Sequence, residues 1–357
     1  MKKQWIAMIL ALVMVFVLAG CGAAQQAPTE TIPAAETAAP AETPAPTEEP
    51  AAAEEPAEEP VETRIMVLNG TTGFGLANLM SSAQEGTSAQ EYAFSVETDA
   101  SNVTAALING STDIAALPTN AAAVVYNKTQ GEVQVLALNT RGVLYLVTDE
   151  SEQIQSWEDL KGKTVYAPAQ NPTFVFTYLC EKNGLTVGED VMIDNTYAQP
   201  ADLNAAVSGG QVTIAVLPEP MVTIAKSANE HLVSAMDLTE EWNKTDAEGE
   251  LIQGCVAVRK AFADEHPQAV AMFLQEYEQS VLQLQEDPAG TAEKIQQTGI
   301  FAKAAVAAKA IPNCNICFIT GEDMEPQLSG FLKAMFDLQP NSVGGAMPGE
   351  DFYYIGA

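Results

Sequence analysis

Four short stretches of this chain put hydroxyls, amides and a glycine where an apolar strand hands over to a helix: Thr71-Thr72-Gly73-Phe74, Thr119-Asn120, Gln170-Asn171-Pro172-Thr173, and Glu219. A helix N-terminus offers unpaired N–H groups and the positive end of a dipole. A carboxylate, sulfonate or phosphate can therefore be held there without a basic side chain. Thr and Asn side chains complete such a donor set, Asn139 adds an amide at the end of another apolar run, and Phe74, Tyr166 and Phe174 offer flat apolar walls. The same residue types are favoured as helix caps, so Thr71, Thr119 and Asn171 have a purely structural reading too. Glu219 leaves two readings open. It either forms a salt bridge on a rim, or faces a cleft and accepts from an amine or donor-rich ring, which is at odds with an anionic guest.

Other chemistries find little support. The only histidines are His231 and His266, and neither a His-Glu-x-x-His pattern nor a Gly-x-Ser-x-Gly elbow occurs. Gly70 to Gly75 reverses the glycine order of a dinucleotide fingerprint and lacks the lysine of a P-loop. Cys314-Asn-Ile-Cys317 has knuckle spacing but no second pair, so a local disulfide or two idle thiols are the readings left open. No catalytic residue, metal or cofactor is expected, and the chain reads as a non-enzyme.

The elements that must position these residues follow an α/β pattern. Arg64 to Asn69 reads as a strand, followed by a Gly-rich turn and a helix from Leu76 to Ala83. Lys163 to Ala167 and Phe174 to Lys182 repeat that order about a hundred residues later. A second repeat is closer: Thr104 to Asn120 and Asn204 to Pro220 share Ala105/Ala205, Ala106/Ala206, Gly110/Gly210, Ile114/Ile214, Ala115/Ala215, Leu117/Leu217 and Pro118/Pro218. Strands alternating with helical patterns predict an open, mostly parallel sheet with helices on its faces. Val133 to Asn139, Val143 to Thr148 and Cys255 to Val258 add strands. Pro267 opens a helix whose core stripe is Val270, Phe273, Leu274, Tyr277, Val281 and Leu284, and Met324 to Leu338 forms another.

The N-terminus reads as a secretion signal over residues 1–20, with Lys2 and Lys3 ahead of an uncharged run from Trp5 to Leu18. Leu18-Ala19-Gly20-Cys21 resembles the lipobox of bacterial lipoproteins, which implies cleavage before Cys21 and a diacylglycerol thioether on its sulfur. The run is shorter than the ~20 residues needed to span a bilayer. Residues 21–62 hold ten Glu, eight Pro and no Lys or Arg, a composition that cannot bury a core and reads as a disordered tether. The remainder carries 14 basic and 37 acidic side chains, so nucleic acid is excluded as a partner. Its length favours two lobes.

The order of these motifs, with Gly110-Ser-Thr-Asp-Ile-Ala-Ala116, Ser156-Trp-Glu-Asp-Leu-Lys-Gly-Lys-Thr-Val165, Gly210 to Pro220 and Val256 to Pro267, resembles the solute-binding lipoproteins of ABC importers. The similarity is to the branch grouped with nitrate, sulfonate, taurine and thiamine-precursor binders, and it covers residues 64–357. The resemblance implies the type II periplasmic-binding-protein fold: two α/β lobes, a ligand cleft between them and two crossing hinge segments. Lobe I would be 63–146 with 253–357, lobe II 147–252, and the crossings would lie near Gly142 to Asp149 and Gln253 to Val256. It further implies a monomeric, membrane-tethered, extracytoplasmic protein that closes on a small molecule and delivers it to a permease. Ligand-binding residues would be Thr71, Thr72, Gly73, Phe74, Thr119, Asn120, Asn139, Gln170, Asn171, Thr173 and Glu219, with Arg141 the lone basic side chain near a crossing. An extracellular sensor module is the alternative role, and a thiamine-pyrimidine-related enzyme a more distant one.

Overall fold

The computed structural model describes residues 61–356. The signal sequence, Cys21 and the tether up to Pro60 lie outside the described residues, as does Ala357.

The chain opens with β1 (Thr63–Leu68), whose residues alternate between buried and half-buried as a strand covered mainly on one face requires. Next come α1 (Thr71–Phe74), α2 (Ala77–Glu85), β2 (Tyr92–Glu97), α3 (Ala100–Asn109), β3 (Ile114–Pro118), α4 (Thr119–Thr129) and β4 (Val133–Arg141). A second sheet then collects β5 (Leu144–Asp149), β6 (Thr164–Tyr166), α5 (Asn171–Lys182), β7 (Met192–Asp194), α6 (Pro200–Ser208), β8 (Ile214–Pro218), α7 (Met221–Ala228), β9 (Leu232–Asp237) and α8 (Leu238–Asn243). β10 (Ile252–Arg259) returns to the first sheet. α9 (Lys260–Glu265), α10 (Pro267–Glu286), α11 (Pro288–Gln297), α12 (Ala304–Ala310), β11 (Ile316–Ile319) and α13 (Met324–Leu338) complete the order.

The two sheets run β11-β4-β10-β3-β1-β2 and β7-β6-β8-β5-β9. They are mixed, not mostly parallel. β1 pairs in parallel with β2 and β3, and β6 in parallel with β7 and β8, as consecutive βαβ units must. The strands next to the crossings break the pattern, because β10 enters antiparallel between β3 and β4, and β5 antiparallel between β8 and β9.

β4 ends at Arg141 and β5 begins at Leu144, so the first crossing is Gly142–Val143. Gln253 to Val256 lies inside β10, and the return crossing is the upstream segment between Asn243 and Ile252. The hundred-residue repeat becomes α3–β3–α4 and α6–β8–α7. Its paired glycines, Gly110 at φ +76° and Gly210 at φ +70°, supply the left-handed turn that ends the first helix of each unit.

One hydrophobic core lies beneath α2 and α10, with Phe273, Tyr277, Val281 and Leu284 buried along the expected face of α10. A larger one runs through both sheets. It takes in Leu117 and Leu138 of the first, Leu144 and Leu146 of the second, and Trp157, Phe176, Trp242 and Phe331 between them. There α13 packs Phe331 edge-on to Trp242, ring centroids 5.7 Å apart, and Tyr178 of α5 also packs on the indole at 4.7 Å. Cys314 and Cys317 are buried free thiols, directed at the carbonyls of Ala310 and Leu138 respectively, so of the two sequence readings the thiols hold.

Candidate functional site

At the first strand-to-helix junction Gly70 has φ +99° and ψ −158°, a conformation open only to glycine, and it swings the chain into α1. The residues after it pack inward. A methyl on Gly73 would lie 2.7 Å from Val67 Cγ1 and 2.9 Å from Ile300 Cγ2. Phe74 is fully enclosed against Phe301 and does not reach a cleft surface. Thr71 is half-buried and its hydroxyl makes no hydrogen bond among the described residues. The Thr72 carbonyl accepts from Asn139 Nδ2 at 2.9 Å, and Asn139 Oδ1 accepts from the Thr140 hydroxyl at 2.9 Å. Both ends of the buried Asn139 amide are thus engaged within the protein. Gly254 of β10 faces this contact without a side chain, where a methyl would meet Thr72 Cγ2 at 2.8 Å.

The α4 junction is equally enclosed. Thr119 is buried and its hydroxyl donates to the Ile252 carbonyl at 2.7 Å, tying the helix start to the first residue of β10. Asn120 Nδ2 lies 3.4 Å from the Ser342 carbonyl, and its Oδ1 is buried without a partner. Neither α1, α4 nor α5 has a side-chain cap. The capping alternative for Thr71, Thr119 and Asn171 therefore fails.

In the second sheet Gln170 is exposed, with φ +66° and ψ −122°, and directs the chain into α5. Asn171 Oδ1 is enclosed and unpartnered. Thr173 donates to the Pro168 carbonyl at 2.8 Å and accepts from Asn195 Nδ2 at 2.7 Å, which fastens the loop to β7. Among the described residues no hydrogen bond joins this loop to the Gly70–Phe74 turn. Tyr166 pairs with Tyr197 at 6.1 Å, and Phe174 leans on the core shared by the two sheets.

Glu219, at the end of β8 and joined to Pro220 by a cis peptide, is the residue that faces a cavity. The residue as a whole is only 3% exposed. Oε2 accepts from the Thr223 amide at 3.1 Å, and Oε1 from the Thr223 hydroxyl at 3.0 Å and from Asn313 Nδ2 at 3.5 Å. Burial pushes the carboxyl above its ordinary range, against the pull of the Thr223 and Asn313 donors and of the Lys226 charge. Lys226 itself donates to Ser234 at 3.2 Å. The other buried acid, Asp113, has a bidentate Arg64 at 2.6 and 2.8 Å and a second guanidinium, Arg259, at 3.5 Å. Glu219 has no such partner among the described residues.

The cavity, open on one side, has a volume of about 390 Å³ and is lined by Tyr145, Glu219, Thr223, Lys226, Ser234 and Asn313, together with Val222 and Ser227. Asn313 comes from the C-terminal part of the first-sheet half and the others from the second-sheet half. α7 faces α12 across this boundary. Arg141 is not available to a guest here, because its guanidinium pairs with Glu250 of the return crossing. Tyr145, Thr223, Lys226, Ser234 and Asn313 escaped the sequence reading. The signal that existed was local: Thr223 lies one helical turn beyond Glu219, and Asn313 immediately precedes the Cys314-Asn-Ile-Cys317 motif read only for its sulfurs.

No curated protein matches this sequence. Solved structures do match in fold. An ABC transporter protein from Parabacteroides distasonis superposes with a TM-score of 0.69 at 23% identity, covering 82% of this chain and 98% of its own. The periplasmic aliphatic sulphonate binding protein SsuA from Escherichia coli gives 0.66 at 15% identity, covering 84% and 94%. The alkanesulfonate-binding protein SsuA from Xanthomonas axonopodis pv. citri, bound to MOPS, gives 0.60 at 15%, covering 82% and 96%. These likenesses agree with the two-sheet periplasmic-binding-protein architecture. The family model described as ABC transporter, phosphonate, periplasmic substrate-binding protein matches residues 76–303. The chain belongs to that family of transporter substrate-binding proteins, and its role is that of the solute-binding component of an ABC importer.

Proposed function

We propose that the protein captures a small zwitterionic solute, an acid of the phosphonate or sulfonate type that also carries a protonated nitrogen, in the cavity beside Glu219. The observation that carries this reading is a buried carboxylate with no salt-bridge partner among the described residues, facing a 390 Å³ cavity whose walls come from both halves of the molecule. A buried charge without an ion pair is costly, and a cationic ligand group placed against it relieves that cost. Lys226, Ser234 and the second amide hydrogen of Asn313 supply donors for the acidic end. The family description and the sulfonate-binding structural relatives support the acid.

On this reading the two lobes are those expected at 63–146 with 253–357 and at 147–252, with their edges set by the crossings at Gly142–Val143 and ahead of Ile252 so that each holds one whole sheet, and they close by rotation about the two crossings. The closed form then presents both lobes to a permease. The Cys21 lipobox and the acidic tether would hold the binding module at the outer membrane surface, as a monomer, with a reach on the order of 100 Å. None of the described helices is long and apolar enough to cross a membrane.

A thermal-shift series with alkylphosphonates, alkylsulfonates and their ω-amino counterparts tests the proposal. A ligand at a hundredfold excess over its dissociation constant adds about 2.7 kcal/mol of stability. The amino acids of this series should raise the melting temperature and the amine-free acids should do so far less. Equal shifts for both sets, or none for either, would overturn the reading.

A further inference from the structure

The turn Asn313–Cys314–Asn315 touches both the first crossing and the Glu219 cavity, which also meet where the Glu219 amide donates to the Val143 carbonyl at 2.9 Å. At its C-terminal end Asn315 adopts φ +46°, a left-handed conformation that asparagine tolerates. In that pose its Nδ2 donates to the Gly142 carbonyl at 2.6 Å, and its own carbonyl accepts from the Arg141 amide at 3.1 Å. Asn315 therefore brackets the first crossing with two bonds.

At its N-terminal end Asn313 reaches the Glu219 cavity through two longer contacts. Its Nδ2 lies 3.5 Å from Glu219 Oε1, and its carbonyl lies 3.4 Å from the Tyr145 hydroxyl. Between the two ends Cys314 is buried with its thiol on the Ala310 carbonyl at 3.2 Å, so the turn is pinned at its centre to the end of α12. Short bonds at the crossing, a fixed centre and long bonds at the cavity make a lever whose free end is the one a guest would touch. Gly142 leaves the crossing no slack, because a side chain there would collide with Thr239 and would meet Leu251 Cδ2 at 2.9 Å.

We propose that this turn couples the Glu219 cavity to the Gly142 crossing. A change in what Glu219 binds shifts the Asn313 amide, and Asn315 transmits that shift to the crossing. Asn313 and Asn315 act as positioning residues. The inference rests on the cavity reading for the identity of the occupant but not for the coupling itself, which exists in the unliganded protein.

Hydrogen exchange of the full chain without ligand tests it. Glu219→Gln keeps the volume of the side chain and alters its charge at Asn313. It should change the exchange rate of peptides covering Arg141 to Leu144 by about fivefold or more, the lower range of typical coupling between sites. Asn315→Gly keeps the left-handed backbone and removes only the amide bridge. In that background, and in Asn313→Ala, the effect of Glu219→Gln on the crossing should disappear. The coupling is refuted if Glu219→Gln leaves the crossing unchanged in the wild-type background, or changes it equally in all three. The thermal-shift series bears on the ligand alone, so the two proposals fail separately.

Discussion

Gly330→Ala reverses the sign that helix propensity assigns to it. Gly330 lies in the middle of α13, where alanine is favoured over glycine by about 1 kcal/mol. The return crossing, however, lies directly on this residue: a methyl at Gly330 would sit inside the Glu248 carbonyl oxygen, a backbone atom that cannot rotate away. The reverse side of the contact is as tight, since a methyl on Gly249, itself at φ +73°, would lie 2.6 Å from the Gln327 carbonyl. Making room means lifting Glu248 to Glu250 off the helix. That loses the bond from the Glu250 amide to the Gln327 carbonyl, 3.0 Å long, and disturbs the 3.5 Å approach of Trp242 Nε1 to the Gly249 carbonyl. Overpacking of this kind costs about 1–3 kcal/mol. The lost backbone bond adds about 1 kcal/mol. After subtracting the helix gain the variant should be destabilised by about 1–3 kcal/mol, a fall of roughly 2–5 °C in melting temperature for a module of this size. Urea denaturation followed by circular dichroism measures it. A variant as stable as the parent, or more so, would show that the return crossing is not seated on α13 as described.

Three further outcomes follow from the site. Asn139→Ala leaves the Thr72 carbonyl and the Thr140 hydroxyl without their buried partner, so denaturant unfolding should show a loss of about 1–3 kcal/mol; a neutral result would mean that water replaces the amide freely. Burial holds the Glu219 carboxyl above the 4.5 of an ordinary glutamate. The stability linked to its protonation is therefore complete below about pH 4.5 and is lost as pH rises through the raised folded value. Because glutamine mimics the protonated acid, Glu219→Gln should gain on the wild type as pH rises through that window. A stability difference that is flat with pH, or that slopes the other way, contradicts the burial argument. Titration with a thiol reagent in denaturant should release four thiols, from Cys180, Cys255, Cys314 and Cys317, if Cys21 carries its lipid. Five would mean an unmodified Cys21, and two would mean a disulfide.

The sequence made some elements plain and hid others for definite reasons. The 3.6-residue periodicity of Val270 to Leu284 and the Met324 to Leu338 run correspond to α10 and α13, because long helices with one buried face leave a strong pattern. The hundred-residue repeat marked the two α–β–α units. β7 and β11 were not legible: they have three and four residues, too few for alternation to register, and they exist only because β6 and β4 offer them an edge. The mixed sheets could not be read either, since strand direction is fixed by where the two crossings return and not by local pattern. Among candidate residues, Thr119 and Asn139 were singled out for their polar groups, and those groups satisfy buried backbone carbonyls around β10 and α1. Glu219 was noticed for its charge. The Asn313 amide opposite it comes from a contact across 94 residues of sequence, and that no salt bridge reaches it among the described residues is a property of the packed fold.

Isothermal titration of the wild type and Glu219→Gln with one ω-aminoalkylphosphonate and the alkylphosphonate of equal length tests the central claim most directly. The account predicts that the wild type binds the amino compound at least about tenfold more tightly, the equivalent of one charge-assisted contact, and that the substitution erases the difference. Equal affinity of the wild type for both compounds, or a preference that survives in Glu219→Gln, would contradict it.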